Sequence, residues 1–296
     1  MWQPPRGAIL VGIDGSTAAL SAVRWAARNA ALRNVPLALV HVVDAALPEW
    51  FGVAALAGSG QGQQQRASDF ISSAIKVAEE TIGDCDRVQI DSNVFHAVTV
   101  PTLVGLSTEV EMVVVGRGGA FARSFLGSVS SSLVYHAHCP VAVIHDDTAV
   151  IGGVARAPVL VGIDGSPASE LATAIAFEEA SRRGVGLMAL HAWTDPRVSG
   201  SKGAFQDSKW DAALSAEEAT LAERLAGWHE RYPDVGIRRR IEIGDPARCL
   251  IEASEQAQLM VVGSHGCSRF SGRLLGSVGA AVVNRAKIPV IVARQS

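Results

Sequence analysis

The sequence lacks long apolar runs, paired cysteines and any large excess of charge. A membrane helix needs roughly 18 apolar residues in succession, and the first apolar run, residues 8–13, is also too short for a signal peptide core. The net charge of −3 gives no general electrostatic case for binding DNA or RNA. The four cysteines form no CxxC pair, so we expect reduced thiols. These absences indicate a soluble, cytoplasmic protein without a membrane or nucleic-acid partner.

The sequence does contain a long internal repeat. Eight residues from Ile9, ILVGIDGS, recur from Val159 as VLVGIDGS, 150 positions later. Three further matches follow in the same order at offsets of 147 to 149: MVVVG with LMVVG, LGSV with LGSV, and CPVAVI with IPVIVA. Since 296 residues is also the length of two ordinary domains, we expect a duplicated domain. The predicted boundaries are 1–147 and 158–296, with a linker at 148–157.

Short apolar runs alternate with longer amphipathic stretches in each copy, which is typical of parallel βαβ units. The runs are continuous rather than alternating, as expected for strands buried on both faces. The sequence therefore predicts an α/β fold of two tandem Rossmann-like domains, each with a five-stranded parallel sheet flanked by helices. In the first copy the predicted strands are 9–13, 37–43, 88–95, 112–115 and 141–144, with 88–95 at an edge, and the predicted helices are 17–33, 68–82, 101–106 and 128–137.

A glycine pattern follows the fourth strand of the second copy. Gly263 and Gly266 are separated by two residues, and nine residues then precede Gly276 and Ser277. The first two glycines let the backbone approach a ligand closely, and the last pair opens a helix whose free N–H groups suit a phosphate. Arg269 and Arg273, within the loop, and the Ser277 hydroxyl add to this anion site. The alternative is that the glycines only close a tight strand-to-helix turn.

The first copy carries a shorter version of the pattern. Gly116 and Gly119 are followed by seven residues, rather than nine, before Gly127 and Ser128. The missing two residues shorten the loop that would cover a triphosphate. We therefore expect this site to differ in ligand size or affinity, or not to bind at all.

An aspartate ends the first strand of each copy, Asp14 and Asp164, directly before Gly-Ser and a predicted helix. Its carboxylate can accept hydrogen bonds from ribose hydroxyls or help to hold a metal. It can equally form an Asx turn at the start of the helix. Both interpretations stay open from the sequence.

At these residues the sequence resembles the universal stress protein family in its tandem form, and Gly263, Gly266, Gly276 and Ser277 match the spacing of the family's ATP-binding subclass. The resemblance implies the strand order 3-2-1-4-5, ATP as ligand, with or without Mg²⁺, and pairing into a homodimer. It further implies a separate protein partner of unknown identity. It also implies that the aspartate of each copy contacts the ribose and that backbone groups at the end of the second strand contact the adenine. The implied site residues of the second copy are Asp164, Ala192, Gly263, Gly266, Gly276 and Ser277. Those of the first copy are Asp14, Val42, Gly116, Gly119, Gly127 and Ser128.

Several other features have less specific interpretations. His136, His138 and Cys139 suggest a metal site, but the second copy has no matching ligands, so we predict none. His265 is a candidate general base, yet Gly118 stands at the corresponding position of the first copy. The Arg238–Arg240 run fits a solvated strand edge. The Gly- and Gln-rich segment 45–66 and the segment 196–211, which holds Trp210, read as tolerated insertions or as lids.

Three functions follow from these observations. The first is an ATP-binding regulatory switch that acts in stress response or growth arrest through conformation or a partner. The second is a slow ATPase or nucleotide-transferring enzyme that uses the same pocket. The third is a nucleotide-free dimerising scaffold.

Overall fold

The computed structural model describes residues 2–44, 60–83, 88–118, 126–145, 156–193, 207–266 and 275–294. The chain divides into two compact units, residues 1–148 with 294–296, and residues 149–293. The predicted linker lies mostly outside the described residues, so its bounds stay a prediction. Residues 45–59 and 194–206, most of the two variable segments, lie outside them as well.

The first unit is a parallel sheet with helices in the connections. Its strands have the order β3-β2-β1-β4-β5, and each described pair is parallel. In chain order the elements are β1 (Ile9–Ile13), α1 (Thr17–Arg33), β2 (Leu37–Val43), α2 (Gly60–Ile82), β3 (Ile90–His96), α3 (Thr99–Leu106), β4 (Met112–Gly116), α4 (Ser128–His136) and β5 (Val141–Ile144).

The second unit repeats this arrangement with the order β8-β7-β6-β9-β10, again with parallel pairs. The predicted α/β class and the 3-2-1-4-5 order are therefore confirmed in both units. The elements are β6 (Val159–Gly162), α5 (Pro167–Arg183), β7 (Leu187–Trp193), α6 (Asp207–Arg231), β8 (Ile237–Ile243), α7 (Pro246–Ser254), β9 (Leu259–Gly263), α8 (Ser277–Arg285) and β10 (Val290–Ala293).

Burial follows the predicted distinction between central and edge strands. The side chains of β5 and β10 are buried throughout, and β1, β4, β6 and β9 are buried except at single glycine positions. The edge strands β3 and β8 have only partly buried and exposed residues. Continuous apolar runs thus mark strands covered on both faces, and broken runs mark the edges.

Helix α2 differs most from its prediction, because it begins at Gly60 rather than at residue 68. Its polar first turns gain contacts that the apolar pattern does not reveal. Gln64 Oε1 lies 3.0 Å from His96 Nε2, and Gln65 donates to Asp69 one turn later, at 3.0 Å. Tertiary and i,i+4 side-chain contacts extend the helix into a segment that composition alone indicates as a loop. Within the described part of the chain, no helix combines the length and apolar character needed to cross a bilayer.

Candidate functional site

The second unit has a cleft of about 270 Å³ at the carboxyl ends of its strands. In open α/β sheets this edge is where ligands bind. The six residues that the family resemblance implies for a site in this copy all line the cleft: Asp164, Ala192, Gly263, Gly266, Gly276 and Ser277. Arg269 and Arg273, also predicted for the anion site, lie outside the described residues.

The first unit has the corresponding cleft, of about 360 Å³. It is lined by five of the six residues predicted for this copy: Asp14, Val42, Gly116, Gly127 and Ser128. The sixth, Gly119, lies outside the described residues. Although its loop is two residues shorter, the first cleft is the larger of the two.

Each aspartate forms an Asx turn and also lines its cleft. The Ser16 backbone N–H donates to Asp14 Oδ1 at 2.9 Å, and the Ser166 N–H donates to Asp164 Oδ1 at the same distance. Both carboxylates remain exposed at the strand end. The capping and ligand-facing interpretations are therefore compatible, because the turn holds the carboxylate at the cleft.

The serine of the turn caps the following helix in both copies. The Ala19 N–H donates to Ser16 Oγ at 3.1 Å, and the Ser169 N–H donates to Ser166 Oγ at 3.2 Å. The start of α1 and the start of α5 are thereby fixed to the turn that carries the aspartate.

The glycine of the turn has a positive φ of 79° in both copies, a backbone conformation that residues with a side chain rarely adopt. A Cβ on Gly15 would lie 2.4 Å from the ring of Phe70, and a Cβ on Gly165 would lie 2.2 Å from the guanidinium of Arg224. The long helix before the edge strand, α2 or α6, therefore packs against this turn. The contact is made by an aromatic ring in the first copy and by a guanidinium in the second.

The helix that faces each cleft begins without a side-chain cap. Gly127 and Gly276 are the N-cap residues of α4 and α8, and neither offers a side-chain acceptor to the first turn. The Gly127 N–H donates to Arg117 O at 2.8 Å, and the Gly276 N–H donates to Ser264 O at 2.7 Å. The two loops of unequal length thus close with the same hydrogen bond, which brings a helix N-terminus into each cleft.

The first glycine of each pattern has a packing role that the sequence does not reveal. A Cβ on Gly116 would lie 2.7 Å from the backbone of Ala18, and a Cβ on Gly263 would lie 2.8 Å from the backbone of Ala168. These glycines allow the strand end to approach the first turn of a helix. Both also line their clefts, so a close approach of their backbone to a ligand stays a prediction.

Gly266 makes room for the aspartate. A Cβ there would lie 2.8 Å from Asp164 Oδ2. A Cβ on Gly276, by contrast, would meet nothing closer than 3.5 Å. The four residues of the pattern therefore serve three purposes, namely close packing, space for a carboxylate and an open helix end.

The role of a histidine pair beside the clefts is a feature that sequence reasoning missed. His41 and His191 stand 150 residues apart, and in each the ring Nδ1–H donates at 2.7 Å to a carbonyl where the neighbouring first strand ends, that of Ile13 or Ile163. The signal was the shared offset, which the repeat makes visible. These rings tie the ends of adjacent strands together just before Val42 and Ala192.

Neither thiol in the described part of the chain is activated. Burial raises the pKa of Cys139 to about 12, since the thiolate would be desolvated. Burial also raises the pKa of Cys249, and the nearby carboxylates of Glu242 and Glu252 raise it further. Both thiols stay protonated at neutral pH.

The other candidate features have structural explanations. Among the residues that the structure describes, no three His, Cys, Asp or Glu side chains come together to hold a metal. Arg238 and Arg239 are exposed on the edge strand β8, and Arg240 pairs with Glu242 on the same strand.

Two parallel sheets with a cleft at the strand carboxyl ends place the chain in the doubly wound α/β class. The chain belongs to the universal stress protein family, whose pattern matches residues 6–145 and 156–294. It is 50% identical over 290 residues to Universal stress protein Rv2005c of Mycobacterium tuberculosis, covering 97% of each protein. Universal stress protein Rv2623 of that species is also 50% identical over 290 residues, covering 97% of this chain and 96% of that protein.

Solved structures share the fold. The crystal structure of a universal stress protein from Archaeoglobus fulgidus matches with a TM-score of 0.68 at 18% identity, covering 98% of each chain. At this level of identity the match concerns the fold and not the ligand.

Proposed function

We propose that the chain is an adenine-nucleotide-binding universal stress protein, acting as a nucleotide-dependent switch in stress response or growth arrest. The observation that carries this proposal is the open N-terminus of α8 in the same cleft as the Asp164 carboxylate. Free backbone N–H groups and the helix dipole favour a phosphate at one end of the cleft. An aspartate held by an Asx turn supplies acceptors for ribose hydroxyls at the other.

The remaining lining residues fit the rest of a nucleotide. The second cleft has apolar walls at Leu190, Ala192 and Leu250, which suit a purine ring. In the proposed arrangement the backbone at Ala192 faces the adenine, and the Ser277 hydroxyl assists the phosphate. ATP, with or without Mg²⁺, is the proposed ligand of both clefts, with Val42, Gly127 and Ser128 in the corresponding roles in the first.

Counting nucleotides per chain by native mass spectrometry tests the proposal in both clefts at once. Ser277→Glu and Ser128→Glu each place a carboxylate in the first turn of the cleft-facing helix. An acidic residue there favours the helix but repels a phosphate. We expect two ATP molecules on the unmodified protein, one on each single variant and none on the double variant, with affinity at each altered cleft reduced about tenfold or more.

The controls are Ser128→Gln and Ser277→Gln, which are similar in size but uncharged and should retain binding. Circular dichroism checks that all variants fold. If the unmodified protein binds neither ATP, ADP nor AMP at millimolar concentration, the proposed function is wrong. If binding persists in the double variant, the clefts are not the binding sites.

A further inference from the structure

We infer that His265 makes the second cleft select its ligand by charge, binding polyphosphate nucleotides more tightly when the imidazole is protonated. The inference rests on the proposed function, because it specifies the ligand class of the same site. Its starting point is a difference between the clefts, since His265 lines the second and Gly118 lines the first at the corresponding place.

The position of His265 is fixed from both sides. Its ring Nδ1 lies 2.8 Å from the hydroxyl of Ser264, a residue only 3% exposed. Its backbone carbonyl accepts a hydrogen bond from Ser166 Oγ at 3.3 Å. With Nδ1 engaged by the hydroxyl, Nε2 is the ring nitrogen left to face a ligand.

His265 also stands beside the proposed phosphate end of the cleft. A Cβ on Gly276, the N-cap residue of α8, would lie 3.5 Å from the His265 Cα. The imidazole therefore leaves the backbone next to the open helix end. A protonated ring there would add a full charge to the partial positive charge of the helix terminus.

Few charged groups occur among the described residues at this cleft. The titratable residues of its lining are Asp164 and His265 itself, and the Arg224 guanidinium covers Gly165 beside the aspartate. The helices α5, α7 and α8 contribute uncharged residues to the same lining: Ser169, Pro246, Leu250, Ser277 and Val278. Arg269 and Arg273 belong to the loop outside the described residues. All of these charges stay in place when His265 alone is replaced, so a His265→Gln variant isolates the contribution of the imidazole.

The direction of the effect follows from linkage. A bound polyanion favours the imidazolium, so a proton on His265 must strengthen polyanion binding by the same factor. Histidine is the side chain that ordinarily titrates between about pH 5 and 8. Affinity should therefore rise as the pH falls, and it should rise more for ATP than for AMP, since AMP carries fewer charges.

The test uses full-length proteins with one functional cleft each. Ser128→Glu leaves the second cleft and Ser277→Glu leaves the first. Isothermal titration with ATP and AMP is carried out at about pH 6 and about pH 8. We expect the second cleft to bind ATP about fivefold more tightly at the lower pH. In Ser128→Glu/His265→Gln, which keeps a hydrogen-bonding side chain but cannot be protonated, this gain should be lost.

The His265→Gln variant is the control, because the first cleft has a histidine of its own, His41, in its lining. Nucleotide phosphates themselves titrate near pH 6, and this contribution is common to the proteins with and without His265. A pH response unchanged by His265→Gln would show the inference to be wrong while the proposed function stands. No nucleotide binding to the unmodified protein at either pH would instead overturn the proposed function.

Discussion

The serine of the Asp-Gly-Ser turn donates its hydroxyl hydrogen to different acceptors in the two clefts. Ser16 Oγ donates to Asp14 Oδ1 at 2.6 Å, whereas Ser166 Oγ donates to the carbonyl of His265 at 3.3 Å. In the first copy the serine is therefore engaged within its own turn. In the second copy the serine connects the turn to the glycine loop. The turn that carries Asp164 and the loop that carries His265 are therefore joined by a hydrogen bond.

The comparison teaches that duplication preserved the backbone frame while the side chains on it changed. The Asx turn, the helix cap, the strand-end histidine and the loop-closing hydrogen bond occur in both copies. The differences are Phe70 against Arg224, and Gly118 against His265. Clefts with the same frame can thus hold the same kind of ligand with different selectivity.

An arginine at the end of the first helix of each copy is likewise kept, while the side chains that bind it have changed. Arg33 pairs with Glu111 and donates from Nε to Asn29 at 2.9 Å. Arg183 donates from Nε to Glu179 at 2.9 Å and from Nη1 to Gln258 at 3.3 Å. In the first copy the helix supplies an amide, Asn29, and the residue before the fourth strand supplies a carboxylate, Glu111. In the second copy the helix supplies the carboxylate, Glu179, and the residue before the fourth strand supplies the amide, Gln258.

The largest stability effect is expected from breaking this arrangement. The Arg33 side chain is only 2% exposed, so Glu111→Gln should deprive a buried cation of a carboxylate partner. We expect a loss of about 3 kcal/mol in the free energy of unfolding of the first copy. Adding Asn29→Glu, which reproduces the second copy's arrangement, should recover most of it. Hydrogen exchange of the first copy's amides measures the change, with the second copy as reference.

The double variant makes the comparison falsifiable. Should Asn29→Glu/Glu111→Gln be as unstable as Glu111→Gln alone, the two arrangements are not equivalent. The exchange of the carboxylate and the amide between the two copies would then not be a compensating pair of substitutions.

A smaller effect is expected at the glycines that bring strand and helix together. Gly116→Ala and Gly263→Ala each push a Cβ to within 3 Å of helix backbone. We expect each to destabilise its own copy by about 2 kcal/mol, measured by urea unfolding with exchange mapping. Gly276→Ala is the matched control, because its Cβ meets only ordinary contacts. Equal effects at Gly276 and Gly263 would contradict the assignment of close packing to the latter.

The smallest effect is expected at the helix caps. Ser16→Ala and Ser166→Ala should each cost about 1 kcal/mol in the stability of α1 or α5. Only Ser166→Ala should also speed hydrogen exchange at residues 264–266, because within the described parts of the two glycine loops the bond from a turn serine is that of Ser166 to His265. Faster exchange at residues 116–118 in Ser16→Ala would contradict the difference drawn between the two clefts.

Much of the fold could be predicted because it depends on local patterns. Continuous apolar runs indicate central strands, and the α1 bounds at Thr17 and Arg33 follow from a cap and an amphipathic face. The start of α2 could not be predicted, since Gln64 finds its contact on the distant residue His96. Contacts between residues far apart in sequence are invisible to a pattern of periodicity.

The residues of the candidate site could be listed from the sequence, but their individual roles could not. Spacing and duplication pointed to Gly263 and Gly266, yet only the structure separates packing against Ala168 from room for Asp164. The role of His191 likewise depends on a carbonyl in a neighbouring strand. A repeat reveals which positions matter without saying what they touch.

The contact between the long helix and the turn has an evolutionary consequence. Because Gly15 and Gly165 have a φ of 79°, any other residue at these positions would be strained whatever the space around it. The position that covers them is freer, since the two copies already carry Phe70 and Arg224 there. We therefore expect related sequences to keep the glycine while the residue that covers it varies. At this covering position the two copies of a duplicated cleft can diverge without a change in the backbone of the turn.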